Sequence, residues 1–359
     1  MMKRRSFILS IMNSLLAFKT YAFTHLLKKA SNMDLIIKSY PLNLHWPTQD
    51  PFLFCAYHKD HFPKGDGNLG VNASLDGRNI GSDFVEKDGF RMYHGTKVPG
   101  FPRHPHKGFE TITLIKEGFI DHADSLGRGG RYTSGDCQWM TAGRGIEHSE
   151  MFPMVYDDKE NFLEIMQIWI NLPRKNKEVD PGYIIYKGEE VPIVKPNDKV
   201  TIKLYAGVFG EVQAQKAPKD SWAKDMSHQV AVWLIEIEKD GEFIIPSSKG
   251  EDINRSLYFY QGEDVQLNEH LLKVNTGVDL ISSKEIKLQA KNKKASFLFL
   301  QGKAINEPVA QHGPFVLNSR EDLIKAFEDY QKNGFGKWTW SSSAATHGKE
   351  AKRFAIKKS

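Results

Sequence analysis

Cysteine is scarce in this 359-residue chain, with Cys55 and Cys137 its only two and no CxxC pair. A disulfide framework, a cysteine zinc finger and a thioredoxin-like redox role are thereby excluded. Cys137, set between Gly135-Asp136 and Gln138-Trp139-Met140, reads as a small buried hydrophobe rather than a reactive thiol. Apolar runs long enough to cross a membrane are lacking too. The stretch from Phe7 to Phe18 is short for a span, and no stable membrane association is expected. The chain also has little net charge outside its start. Its formal charge is +5, but six basic residues, Lys3, Arg4, Arg5, Lys19, Lys28 and Lys29, fall in residues 1–32, which hold no acid. The remainder stands at −1, so a basic groove for nucleic acid is not indicated.

Residues 1–32 allow two readings. Arg4-Arg5-Ser6-Phe7-Ile8 is similar to a twin-arginine export signal, the route of proteins that fold and load their metal before crossing a membrane, which implies a periplasmic protein. The other is a poorly ordered leader, with the functional chain starting at Met33 and the protein cytoplasmic.

From Leu35 onward, short apolar or alternating runs are separated by Gly, Asp, Asn and Pro, the pattern of β structure. One set includes Thr111–Ile115 and Ile165–Leu172; a second includes Val200–Leu204, Val230–Ile235, Leu257–Tyr260 and Phe297–Leu300. Two sets of regularly spaced strands predict an all-β chain of two sandwich or barrel domains. Domains are placed at 33–186 and 187–317, with Lys187 to Lys199 as the connection and 318–359 as a helix and tail. Lys59 to Gly89, rich in Gly, Asp and Asn, reads as a long surface excursion beside the first barrel. Ser319-Arg320-Glu321-Asp322 reads as a capping box, and Leu323, Phe327 and Tyr330 share one face of a helix over about 320–333. The chain beyond Trp340 reads as a loose tail.

The chemistry concentrates in two short motifs, His104-Pro105-His106 and, 42 positions beyond His106, His148-Ser149-Glu150. Residues i and i+2 of a strand point to one side, so each motif presents two donors to one point. Two such strands facing each other across a barrel supply three nitrogens and one carboxylate oxygen for a single metal ion. Such a set is closed for a tetrahedral ion and leaves two positions open for an octahedral one. It suits Fe(II), Mn, Ni, Cu or Zn, and the spacing does not choose among them. The bland alternative makes His104 and His106 solvent-facing on a Pro-interrupted edge strand, and Glu150 a surface charge. His228, His270 and His312 in the second set are isolated and read as structural or surface residues. His122 is either a proton relay at the barrel mouth or a surface residue, and Arg144 either pairs with an acid such as Glu147 or faces water.

The stretch Gly100-Phe101-Pro102-Arg103-His104-Pro105-His106-Lys107-Gly108-Phe109-Glu110-Thr111 and the stretch from Gly135 to Met151 strongly resemble the pirin family, as do Gln167-Ile168-Trp169-Ile170-Asn171-Leu172 and Glu307 to Val316. The resemblance runs from about Leu35 to Trp340. It implies a bicupin, two tandem β-barrels with metal only in the N-terminal one, and a last segment that returns toward the first domain. It maps four ligands onto His104, His106, His148 and Glu150. Glu110, at a position that often binds metal in cupins at large, is left to orient a ligand or hold a strand end. Some bacterial members oxidise quercetin with dioxygen, releasing carbon monoxide and a depside. The resemblance therefore implies an Fe(II)-dependent dioxygenase acting on a small aromatic such as a flavonol, with Glu150 as base and Phe109, Ile146 and Met151 as a dry wall or simply core. The alternative it implies is a non-catalytic, iron-dependent regulatory or redox-sensing protein with a protein partner. Departures are Cys137, where a larger aliphatic is usual, Ser149, where alanine is frequent, and the leader before Met33.

Overall fold

A computed structural model describes residues 35–357; the possible export leader lies outside the described residues. The chain is all-β, with one α-helix among the described residues. No helix among them is long and apolar enough to cross a membrane.

Four large antiparallel sheets build two barrels. The first barrel closes a six-stranded sheet, which includes Phe52–Phe62, Phe109–Glu117, Cys137–Thr141 and Asn161–Asn171, over a five-stranded sheet. The latter runs in the order Phe354–Lys357, Arg128–Thr133, Phe119–Asp124, Ile146–Met151, Gly100–His106. The second barrel closes a seven-stranded sheet over a four-stranded one, and its interior is filled by Trp233, Phe243, Phe259, Phe297 and aliphatic side chains. The six-stranded and seven-stranded sheets pack back to back. Between them lies a core joining Ile112, Trp139 and Ile168 of one barrel to Val232, Tyr258 and Leu298 of the other.

Strand periodicity explains why these two sheets read as nearly continuous apolar runs. In Ala231–Ile237, Trp233 and Ile235 face the second barrel's interior while Val232 and Leu234 face the inter-barrel core, so both faces are buried. Each large side chain buried in this way stabilises the fold by roughly 1.5–3 kcal/mol.

The two ends of the described chain cross over. Ile36–Pro41 pairs with Thr276–Leu280 of the second barrel's sheet, while Phe354–Lys357 pairs with Arg128–Thr133 of the first. The segment after Trp340, expected to be loose, is instead fastened to the first barrel. The buried Arg131 guanidinium donates to both Asp121 oxygens (2.6 and 2.7 Å) and to the Gly348 and Glu350 carbonyls, and Arg353 grips Asp136. The physical reason is charge: a guanidinium and two carboxylates, buried on the first barrel, need partners that the tail supplies.

The helix spans Arg320–Asn333, with the Ser319 hydroxyl accepting from the Asp322 amide and Gly334, at φ 65°, ending it. Leu323, Ala326 and Tyr330 form its buried face, against Phe315 and Leu317. The preceding segment returns to the first barrel, where the Val316 amide donates to the Lys107 carbonyl and the Lys107 amide to the Pro314 carbonyl. The expected excursion at 59–89 differs in one respect, because the strand Phe52–Phe62 runs into it. Beyond Phe62 the chain folds over the barrel mouth, held by Arg78, which stacks on Phe90 and pairs with Asp83 at 3.0 Å.

Candidate metal centre

The two histidine-bearing strands are neighbours in one sheet rather than opposed walls of the barrel. Gly100–His106 is the edge strand, which tolerates Pro102 and Pro105, and Ile146–Met151 lies beside it. The pairing puts Phe101 opposite Glu150 and His104 opposite His148, with a register shift between. Phe101 and His104 are three residues apart and would normally face opposite sides. The bulge at Pro102-Arg103 changes that parity, so Phe101, His104 and His106 all point inward with His148 and Glu150. An edge strand was the premise of the solvent-facing alternative, yet its histidines face the interior, with His106 and His148 buried.

His104, His106 and His148 offer ring nitrogens that all lie within 4.8 Å of one another. Nε2 of His104 is 3.1 Å from Nε2 of His106. Two nitrogen ligands about 2.1 Å from one ion, at angles between octahedral and tetrahedral, are about 3.0–3.4 Å apart, so the spacing fits a shared ion. The hydrogen bonding fits as well. Nδ1 of His104 donates to the Pro102 carbonyl at 2.9 Å, which leaves Nε2 with its lone pair. Both ring nitrogens of His148 are buried without a hydrogen-bond partner among the described residues. Burial pushes His104 down to about 4, against the pull of the Pro102 carbonyl. Burial, and next the neighbouring imidazoles, push His106 and His148 well below the ordinary histidine range. All three are neutral at pH 7, the form that binds a cation. An unpaired buried nitrogen costs roughly 1–3 kcal/mol, which a shared cation would offset.

Glu150 sits beside this triad, with Oε2 3.8 Å from Nε2 of His148. The Gln167 side-chain amide donates to both its oxygens at 3.1 and 2.9 Å, and Gln167 Oε1 in turn accepts from the Trp169 indole at 3.1 Å. Burial raises the Glu150 carboxyl above its usual range while the Gln167 amide opposes the rise. Gln167 was not singled out in the sequence. Its signal was there: a polar residue between Ile165 and Trp169 on one face of the strand.

His122 is neither at the mouth nor on the surface. It is fully buried behind His148, with ring centroids 5.5 Å apart. Its Nε2 donates to Asp124 and its Nδ1 accepts from Gln138, both at 3.2 Å, so no lone pair remains for an ion. Glu110 faces away from the triad. Strand alternation sends Phe109 and Thr111 inward and Glu110 into the inter-barrel layer, where Oε1 accepts from the Thr141 hydroxyl at 2.6 Å. It therefore cannot orient a ligand. Burial pushes its carboxyl up to about 7. Arg144 is exposed and pairs with Asp180 at 3.0 Å, while Glu147 is held by Arg103 and, at 2.8 Å, by the Tyr330 hydroxyl. Farther along the chain, His228 stacks on Trp222 and His312 packs edge-on to Phe327.

A cavity of about 480 Å³ opens onto His104, His106 and Glu150, within the span of small-ligand sites. Its walls are Phe54, Phe84, Phe101, Phe152, Ile165 and Trp169, with the Gln311–Pro314 turn at one side. Of the two readings of Phe109, Ile146 and Met151, dry wall or core, the structure gives core: all three are fully buried and none lines this cavity.

Comparison with known proteins agrees with this architecture. The pirin profile matches residues 71–170, and the profile of the pirin C-terminal cupin domain matches residues 232–336. A Pseudomonas aeruginosa protein named "Putative quercetin 2,3-dioxygenase" is 36% identical over 235 residues, covering 65% of this chain and 79% of that protein. The pirin of Rattus norvegicus is 35% identical over 264 residues, covering 70% of this chain and 84% of that protein. The crystal structure of a quercetin 2,3-dioxygenase from Acinetobacter baumannii superposes with a TM-score of 0.66 at 23% identity, over 84% of this chain and 98% of that one, a likeness of fold. Two profiles, one for each barrel, and relatives more than one-third identical along most of their length place the chain in the pirin family, as a bicupin.

Proposed function

We propose that His104, His106, His148 and Glu150 hold one divalent metal ion, Fe(II) in the first instance, and that the chain oxidises a flavonol such as quercetin, or a related planar aromatic, with dioxygen. The observation that carries this reading is the convergence of three neutral imidazoles, two buried and one half-buried, one of them with no hydrogen-bond partner among the described residues, at the inner end of an aromatic-walled cavity. Relatives that bear the quercetin 2,3-dioxygenase name support the substrate class. Three imidazoles and a carboxylate are a donor set for Fe(II), Mn, Ni, Cu or Zn.

A metal held there supplies Lewis acidity toward a substrate hydroxyl and exchangeable positions. The chain's own residues do the rest. Phe101, Phe152 and Trp169 exclude water and offer flat faces to a flat molecule. Glu150 takes the hydroxyl proton at a carboxylate oxygen, and its burial makes it a stronger base than a solvated glutamate. Gln167 fixes the carboxylate's direction through both oxygens, and Trp169 fixes Gln167.

The test is dioxygen uptake by protein loaded with Fe(II) and given quercetin, beside a metal-stripped control and Mn, Ni, Cu and Zn forms. Metal-dependent uptake is expected. No uptake with any of these ions would overturn the reading in favour of a metal-responsive interaction protein.

A further inference from the structure

The cavity has a second polar end. Along Phe52–Phe62, alternate residues Phe54, Ala56 and His58 face it, and the pairing sets Phe54 opposite Trp169, Ala56 opposite Gln167 and His58 opposite Ile165. His58 thus lies one strand step beyond the level of Gln167, which holds Glu150, on the side away from Trp169. Phe101 stands between the two ends, its ring 5.7 Å from that of His58 and 6.3 Å from that of His104.

His58 is only 4% exposed, and its Nδ1 has no hydrogen-bond partner among the described residues. Rings pack against it, Tyr93 edge-on at 4.8 Å and Phe152 at 6.3 Å. Burial first, then His45 and Arg91, push it down to about 3, so it is a neutral ring with one donor and one acceptor. Of the other imidazoles that line the cavity away from the metal end, His94 is engaged by the Gly81 carbonyl at 2.8 Å and His45 packs edge-on to Phe54. Tyr93 and Arg91 are both tied to Asp60, at 2.5 and 3.0 Å, so neither turns to satisfy His58. A buried imidazole on the wall of a small-ligand cavity, left unpaired by the protein, is arranged for a partner that the protein does not contain.

We propose that His58 is the specificity-determining residue for the end of the substrate remote from the metal, accepting or donating a hydrogen bond with a ring hydroxyl there. This deepens the dioxygenase reading and rests on it for the orientation of the substrate. The substrate class is a planar polyphenol with polar groups at both ends of an aromatic body. A flat molecule whose only hydroxyl is at the metal end leaves His58 unpaired and binds less tightly.

The experiment compares two flavonols on the Fe(II)-loaded full chain under nitrogen. One is quercetin, with hydroxyls on all its rings; the other is 3-hydroxyflavone, which keeps only the hydroxyl nearest the metal. Dissociation constants are read from quenching of tryptophan fluorescence for wild type, His58→Phe and His58→Gln. Wild type is expected to favour quercetin, His58→Phe to lose about tenfold of that preference, and His58→Gln, which retains a donor and an acceptor, to keep part of it. An unchanged preference in a folded His58→Phe, judged by its thermal midpoint, overturns the proposal. So does failure of wild type to bind either flavonol. Because binding is read without turnover, a preserved preference with no dioxygen uptake would sink the catalytic reading and leave the assignment of His58 standing.

Discussion

Inside the second barrel, Trp233, Phe243, Phe259 and Phe297 fill the space with hydrocarbon, whereas the same space in the first holds His104, His106, His148, Glu150, His122 and Gln138. The architecture is shared, but the first barrel sets this polar group beside an apolar cluster that includes Ile115, Tyr132 and Phe152. A hydrocarbon interior stabilises its barrel through every buried side chain. A polar interior costs free energy at each unpaired nitrogen, so it needs either partners built into the wall, as Asp124 and Gln138 are for His122, or one brought from outside. The first barrel accordingly leans on its surroundings. It shares a core with the second barrel on one face, and the returning segment, helix and tail close over it. On the proposed reading the second barrel is a platform for its neighbour, which holds the candidate site.

Four changes break or sharpen this contrast, in descending order of effect. His106→Ala is expected to abolish stoichiometric metal binding, read by elemental analysis of folded protein; metal content equal to wild type would refute the site. Phe299→Ala in the second barrel is expected to destabilise by about 3–5 kcal/mol in a denaturant titration while metal per folded chain stays unchanged. Glu150→Gln is expected to retain much of the metal and lose on the order of 10²-fold in quercetin-dependent dioxygen uptake, since the amide cannot take a proton. Uptake at the wild-type rate would remove Glu150 from the role of base.

The smallest effect lies in the layer between the barrels. Burial raises Glu110 to about 7 in the folded protein, above its ordinary value of 4.5. The folded state therefore holds a proton that the unfolded state releases, so the stabilisation is complete below about pH 4.5 and is lost as pH rises through 7. Glu110→Gln should make the fall in stability between pH 5 and 8 shallower by up to one proton. An identical slope in the two proteins would show that Glu110 stays ionised.

Much of the fold was legible where the signal is local. Alternation marked the strands of both sets, and Ser319 and Gly334 bracket the helix that Leu323 and Tyr330 anchor. The i, i+2 rule paired His104 with His106 and His148 with Glu150, since face is a property of neighbouring residues. It could not say that the two strands lie side by side, because that depends on sheet order. Nor could it see the bulge at Pro102-Arg103, which brings Phe101 onto the inner face. Glu110 was left by analogy to orient a ligand or hold a strand end, and parity counted from Phe109 would have turned it away from the first of these roles. Gln167 and His58 were missed because a polar residue in a strand has the same sequence signature whether it meets water, a carboxylate or a ligand.

The sequence by itself determined the all-β class, the faces of the histidine pairs, the helix and its caps, since each follows from periods of two or 3.6 residues and from short-range capping. Only the tertiary structure decided which strand neighbours which, that the two ends of the described chain cross to opposite barrels, and that the loop after Phe62 and the turn at Gln311–Pro314 meet over one cavity. These depend on contacts between residues up to more than 200 positions apart, made when sheets close and bury both faces, and no local pattern carries that information.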